Sequence, residues 1–379
     1  MSAPAGAVLR AHLETWRPYT LAYPGLVGLA GAAAGADTTT AAGVFAAWLC
    51  PTLGWLGGHY LGDYFDRDLD ALGKPQRPIP SGRLSARTAR ACGLGAVLAA
   101  ALVTLAVNWP VVAGVALALA GVVAYSRLLK GRGILGNAVR GLLTALAVVF
   151  GAAVASPPGE PPSWRVLPVA LAFLLHDTAS NLVGTLRDVD GDRAGGYRTV
   201  PVVRGLDAAV RIAALLYGAA LAAVAVHVYA VAYGGGDGAG RTVACAALAL
   251  VAAGAGVAAF RPLLRTASPG ARLALRAHEV LVGERLVLAA AVVAGGWGGP
   301  RALAVLLPLL AVSLVSQRRM RARHEFPPEP AAPPEPVGPP GPAAVPGAAV
   351  APAAVRPASP VRPAPPVPAA SRNRRAELP

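Results

Sequence analysis

The 379-residue chain is 55% hydrophobic and only 14% charged, against about 25% charged residues in an ordinary soluble domain. Its apolar runs recur from residue 18 to about residue 317, each near the roughly 20 residues needed to cross a bilayer, and so many runs could not share one soluble core. The net charge of +15 suggests nucleic acid only as a bulk number; the cations fall in alternate loops instead, so no nucleic-acid partner is expected.

Ten apolar segments are predicted, over about 18–35, 41–62, 89–107, 109–126, 134–155, 164–184, 207–232, 242–260, 278–295 and 300–317. Gly and Pro interrupt several of them, which membrane helices tolerate because neighbouring groups satisfy the freed backbone. Small residues dominate and let helices approach closely. Ala32-Ala33-Ala34-Gly35-Ala36 looks like a cleavage site but reads as part of a first span.

Charge sets the orientation. With the amino terminus inside, Arg10 and Arg17 precede the first segment, the even-numbered connections are basic, and Arg318, Arg319, Arg321 and Arg323 follow the tenth. The opposite side carries only Arg165, Arg241 and Arg301. This asymmetry predicts an integral plasma-membrane protein with both ends cytoplasmic. Residues 1–17 form an N-terminal segment and 18–324 the membrane domain. Residues 325–379, rich in Pro, Ala and Val, read as a disordered tail that cannot bury enough surface to fold. Cys50, Cys92 and Cys245 lack ligand or redox spacing and read as small hydrophobes. The excess of Arg over Lys, with abundant Ala, Gly and Pro, points to a GC-rich bacterial genome.

Two acidic clusters follow the second and sixth segments, so they share one membrane face. Asp63, Asp66 and Asp70 recur at helical spacing and present one face, with His59 a turn earlier; Asp188 and Asp192 share another, with Asp177 and Asn181 behind them. Asp68 and Asp190 point elsewhere, toward water or Arg. Carboxylates at a membrane edge usually mark a working site. Their hard oxygens suit Mg2+, which typically takes one or two carboxylates plus substrate phosphates. Lys74, Arg77 and Arg140, with Lys130 and Arg198, are candidates for the remaining phosphate oxygens. His176-Asp177 is an ionisable pair inside the sixth segment, and Glu284-Arg285 most simply neutralise one another or pair with neighbours. Tyr125-Ser126 ends the fourth segment, where interfacial anchoring is an equal reading.

The run Gly62-Asp63-Tyr64-Phe65-Asp66-Arg67-Asp68-Leu69-Asp70, followed by Lys74-Pro75-Gln76-Arg77-Pro78-Ile79-Pro80-Ser81-Gly82, resembles the first signature of the UbiA superfamily of intramembrane prenyltransferases. Arg187-Asp188-Val189-Asp190-Gly191-Asp192-Arg193, with Arg198-Thr199-Val200-Pro201 behind it, resembles the second. Tyr125-Ser126, Lys130, Gly136-Asn137 and Arg140-Gly141 are similar to family features around the fourth and fifth helices.

The resemblance implies an all-α bundle, usually of nine transmembrane helices around a central cavity, so that nine to ten are expected here. It implies Mg2+-dependent transfer of a polyprenyl group from its diphosphate to a small lipophilic or aromatic acceptor. On that basis Asp66, Asp70, Asp188 and Asp192 are the catalytic, metal-linked carboxylates. Asp63, Lys74, Arg77, Tyr125, Lys130, Asn137, Arg140, Asn181 and Arg198 are the substrate-binding candidates. The expected partners are the prenyl diphosphate, the acceptor and membrane lipid, with no protein partner indicated. The chain departs from the pattern in carrying Gly62 where the first signature opens with Asn, Thr185 where the second often has an earlier Asp, and a tenth segment. Two other functions stay open at this point: a terpene cyclase of the same superfamily, and a transporter, whose paired halves with interrupted helices are not evident here.

Overall fold

A computed structural model describes residues 5–234 and 238–326. The stretch from 327 onward, which holds nearly all of the expected tail, lies outside the described residues, as do 1–4 and 235–237. Among the described residues the fold is helical throughout, without a strand; one isolated backbone bridge joins Arg132 and Arg198.

Every predicted apolar segment forms a helix. These are α2 (Pro18–Gly35), α3 (Ala41–Gly73), α4 (Ala86–Asn108), α5 (Val112–Ala124), α6 (Ile134–Ala155), α7 (Val166–Thr185), α10 (Leu206–Tyr233), α11 (Ala239–Arg265), α12 (Ala271–Trp297) and α13 (Gly299–Ser316). Four shorter helices complete the set: α1 (Ala5–Trp16), α8 (Val189–Ala194), α9 (Val200–Arg204) and α14 (Ala322–Glu325). Among the described residues, eight helical stretches are long and apolar enough to cross a membrane. The number falls short of ten for two reasons. The run Ala86–Leu129 counts once although the 3-10 turn Trp109–Val111 divides it into α4 and α5, which hold the third and fourth segments, and α2 is not among the eight.

Local chemistry sets the boundaries. Thr40 and Ser85 cap α3 and α4, each hydroxyl accepting from a backbone N–H three residues on, Gly43 and Thr88, at 3.0 Å. Trp109-Pro110 breaks α4 from α5 through a short 3-10 turn, because proline cannot donate to a helix ladder. Pro75, Pro78 and Pro80 likewise keep α3 from continuing beyond Gly73.

α2 packs against α3, α6 and α12, and α12 is the most enclosed of the spans. The crossings are tight because they are made by glycine: a Cβ on Gly28 would strike the Ala47 carbonyl, and one on Gly151 would strike the Gly28 carbonyl. The outer faces are apolar and exposed, as at Leu94, Leu98, Leu102 and Leu105 along α4 and Val243, Leu250 and Val257 along α11. Faces this apolar suit a lipid solvent rather than water.

α3 has 33 residues. At about 1.5 Å per residue it is roughly 50 Å long, against about 30 Å for a hydrocarbon core. Its C-terminal turns therefore stand beyond the apolar layer, and they carry Asp63, Asp66 and Asp70. The N-terminal segment contributes a helix. α1 docks on α3, where His12 Nδ1 and Trp16 Nε1 each lie 2.6 Å from the Tyr60 hydroxyl. Glu325, where the expected tail begins, is the last residue of α14.

Candidate active site

The two acidic stretches meet at one end of the bundle. A polar chamber open to the outside is lined by Asp63, Asp66 and Asp70 from α3 and by Asp188 and Asp192 from the segment after α7. Lys74 makes the join: its Nζ lies 2.9 Å from Asp188 Oδ1.

Each carboxylate has a cationic or hydroxyl neighbour. Asp63 pairs with Arg17. Asp66 Oδ2 accepts from Lys130 Nζ at 2.7 Å, and both Asp70 oxygens lie 2.8 Å from Arg77 Nη1. Asp192 Oδ2 accepts from Thr199 Oγ1 at 3.1 Å. The loop after α3 makes the Asp70 pair possible. Lys74 N donates to the Asp70 carbonyl at 2.7 Å and Arg77 N to the Lys74 carbonyl at 3.0 Å, which turns Arg77 back onto the helix end.

On the other side, Asp192 N donates to the Asp188 carbonyl at 2.7 Å. This single turn keeps the two carboxylates on neighbouring positions of one face. Between the acidic stretches, Tyr125–Leu129 form a π-helical turn, and Lys130 N closes it on the Tyr125 carbonyl at 2.9 Å. Such wide turns recur at functional sites; this one brings Tyr125, Ser126 and Lys130 to the chamber wall.

The charges answer their surroundings. Burial alone would raise Asp188, but Lys74 and Arg187 outweigh it and hold its carboxyl below the usual carboxylate range. Burial, followed by the Asp188 charge, pushes Asp192 up to about 6. Burial alone would lower Lys130 and Arg77. Asp66 beside the first, and Asp70 with Glu325 beside the second, overcome that and raise both.

The donor set fits a divalent metal. Asp63 Oδ2 is buried without a partner, and the raised Asp192 is a carboxylate short of positive charge. Among the described residues no three His, Cys, Asp or Glu side chains form a ready cage. Magnesium does not need one, since it keeps waters and substrate phosphates among its ligands.

Below the acidic rim the chamber narrows. Arg140 lies 4.6 Å from the Trp55 ring and 5.5 Å from the Tyr125 ring, measured to the centroids. Asn137 Nδ2 donates to Asn181 Oδ1 at 2.9 Å. His59 Nδ1 lies 3.0 Å from the Trp16 carbonyl and its Nε2 faces Thr20 at 3.4 Å. Trp55, Gly58, Val122 and Arg140 also line a second, otherwise apolar cavity, which runs between α3, α4, α5 and α6 past Gly54 and Gly114 to Phe150.

Deeper still, Asp177 accepts from Tyr23 at 3.2 Å and from Thr144, with Arg285 at 3.7 Å. Glu284 meets His176 Nε2 at 2.5 Å and accepts from Tyr217 at 3.1 Å. Glu284 and Arg285 thus pair with neighbours and not with each other. Asp68 and Asp190 face outward beside Arg67 and Arg193.

One expected site residue is placed elsewhere. Arg198 is exposed and does not line the chamber. Its backbone pairs with the opposite loop, from its N–H to the Gly131 carbonyl and from Gly133 N–H to its own carbonyl, both at 2.9 Å. It holds the two loops together through the main chain, which leaves its side chain in solvent. Conversely, the structure adds Arg17, Arg187, His278, Arg321 and Glu325 to the chamber. Arg187 lies inside the second acidic stretch, where its signal was legible; Arg17 and Glu325 stood in segments assigned to the two ends of the chain.

The UbiA prenyltransferase family model matches residues 21–279. A digeranylgeranylglyceryl phosphate synthase of Ignicoccus hospitalis is 36% identical over 220 residues, covering 58% of this chain and 72% of that protein. The Halobacterium salinarum protein of the same name is 40% identical over 197 residues, covering 52% and 67%. Among solved structures, a UbiA homolog from Aeropyrum pernix K1 superposes with a TM-score of 0.56 at 19% identity, covering 73% of this chain and 96% of that one. A homolog from Archaeoglobus fulgidus bound to GPP and Mg2+ gives 0.51 at 14%, covering 83% and 100%. The two structures bear on the fold alone. These relatives are archaeal, which runs against the bacterial origin expected from residue usage; that usage reports base composition and not lineage. Signature residues, bundle and family match agree, and the chain belongs to the UbiA prenyltransferase family, an integral membrane protein.

Proposed function

We propose that this protein transfers a polyprenyl group from a prenyl diphosphate to a lipophilic acceptor, with Mg2+ as cofactor. The observation that carries this reading is that the polar chamber and the apolar cavity lie side by side and share Trp55, Gly58, Val122 and Arg140 as lining residues. On this reading one amphiphile places its charged head in the chamber and its isoprenoid tail toward the apolar cavity. The Archaeoglobus fulgidus homolog bound to GPP and Mg2+ supports the donor class. The names of the archaeal relatives favour a glyceryl phosphate lipid as acceptor over an aromatic ring.

On this reading Asp66, Asp70, Asp188 and Asp192 hold the metal, with Asp63 beside them. Bound Mg2+ neutralises the diphosphate and makes it a better leaving group. Lys74, Arg77 and Lys130 hold diphosphate oxygens. Arg140 stands at the neck, where the scissile carbon–oxygen bond lies when the tail is in the apolar pocket. Tyr125, Asn137 and Asn181 complete the polar wall, and the pocket keeps water from the electron-poor allylic carbon. Arg198 has no part in this reading. The basic even-numbered connections support a chamber on the cytoplasmic side.

Purified protein supplied with Mg2+ and labelled geranylgeranyl diphosphate, with and without a glyceryl phosphate lipid, tests the proposal. Pyrophosphate release coupled to a prenylated lipid is expected. A cyclic hydrocarbon formed without acceptor would indicate a cyclase. No pyrophosphate from any allylic diphosphate would overturn the reading.

A further inference from the structure

The cations of the chamber already hold an anion that belongs to the chain itself. Glu325, the last residue of α14, places Oε2 3.0 Å from Lys74 Nζ and 3.7 Å from Arg77 Nη2, and Oε1 3.5 Å from Arg187 Nη2. Its side chain is only 9% exposed. Two contacts fasten the same turn: Arg17 Nε donates to His324 Nε2 at 3.0 Å, and Gln76 Nε2 donates to the His324 carbonyl at 3.3 Å.

A buried carboxylate is costly unless cations surround it. Here three do, and they have donors to spare: Arg77 Nε and Arg187 Nε are buried without an acceptor. Two carboxylate oxygens leave this donor set unfilled. A phosphate group, with more oxygens and more charge, matches it better.

We propose that Lys74, Arg77 and Arg187 form a phosphate subsite for which Glu325 competes, so that the last turn of the C-terminal helix withdraws when a substrate phosphate enters. This rests on the prenyl-transfer reading for the source of the phosphate, which is either the diphosphate of the donor or a phosphate carried by the acceptor lipid. The subsite then has an internal competitor, tethered in the chain and present at high local concentration.

Inorganic pyrophosphate and full-length protein in detergent give the test. Glu325→Gln keeps the shape and removes the charge, and should tighten pyrophosphate binding roughly tenfold, while Arg187→Gln weakens it by a similar factor. Unchanged or weaker binding in Glu325→Gln would overturn the competition and leave Glu325 as a residue that positions the cations. In the unaltered protein, trypsin cleavage after the exposed Arg323 should speed up several-fold when pyrophosphate is added; an unchanged rate also overturns the proposal. KM in Glu325→Gln separates the sources. It falls for the prenyl diphosphate if the donor uses the subsite, and for the phosphate lipid if the acceptor does; a fall for neither counts against it. If neither protein binds pyrophosphate, the prenyl-transfer reading fails and this inference with it. If both bind it equally, only the competition fails.

Discussion

Lys74 Nζ lies 2.9 Å from Asp188 Oδ1, and this contact closes the chamber between the loop after α3 and the turn after α7. One lysine thus reports on both acidic stretches. Lys74→Gln should raise KM for the prenyl diphosphate by about 10- to 100-fold, because it removes a charge-assisted donor from the phosphate site. Steady-state kinetics at saturating Mg2+ would show it; an unchanged KM would remove Lys74 from the site.

Asp66→Asn and Asp188→Asn should each cost at least about 100-fold in kcat, since each loses a metal-holding charge. Neither should unfold the bundle, because both residues sit at a solvent-open rim. Asp68→Asn, whose side chain is 85% exposed, should stay within about twofold of the parent. Pyrophosphate release, with circular dichroism as the folding control, separates the cases. EDTA should abolish release in the parent protein and Mg2+ should restore it.

The apolar pocket should measure the prenyl chain. Gly54 lines it and has open space where a Cβ would stand. Gly54→Leu should shorten the chains accepted without loss of fold. Phe150 stands toward the far end, against Gly114. Phe150→Ala should lengthen the chains accepted, at a stability cost of about 3 kcal/mol. Competition between geranyl and geranylgeranyl diphosphates, read by mass spectrometry of the products, checks both directions.

Much of this was legible in the sequence, and the failures have physical causes. Hydropathy located every long helix, because lipid-facing segments must be apolar throughout. Helical spacing put Asp63, Asp66 and Asp70 on one face, and they arrive together. Arg198 stands outside the chamber lining, and the hydrogen bonds at its motif position run through the main chain, which a side-chain argument does not see. Arg17 and Glu325 escaped because nothing local marks them: each gains its role from a residue far away in the chain, Asp63 for one and Lys74 and Arg187 for the other. Composition places the start of the tail at Glu325, and composition carries no sign of the three cations that residue meets.

The glycine crossings give a prediction that is independent of chemistry. Gly28→Val and Gly151→Val both push a side chain into a backbone carbonyl. Each should destabilise the bundle by roughly 2–3 kcal/mol or more, since main chain cannot yield as a side chain does. Thermal unfolding in detergent should show a lower midpoint for both. Gly218→Ala, with open space at its Cβ, is the matched control.

Arg198→Ala should leave turnover within about twofold of the parent, because its side chain is exposed and its loop contacts run through the backbone. A large loss in kcat would return it to the chamber.

The shared neck at Trp55, Gly58, Val122 and Arg140 has a consequence for how a turnover ends. On the proposed reading the two halves of the donor are already sorted by solubility before the bond breaks. The inorganic fragment faces water through the open rim, and the hydrocarbon fragment faces the apolar cavity. Neither has to pass the other on the way out, so the two departures can proceed in either order.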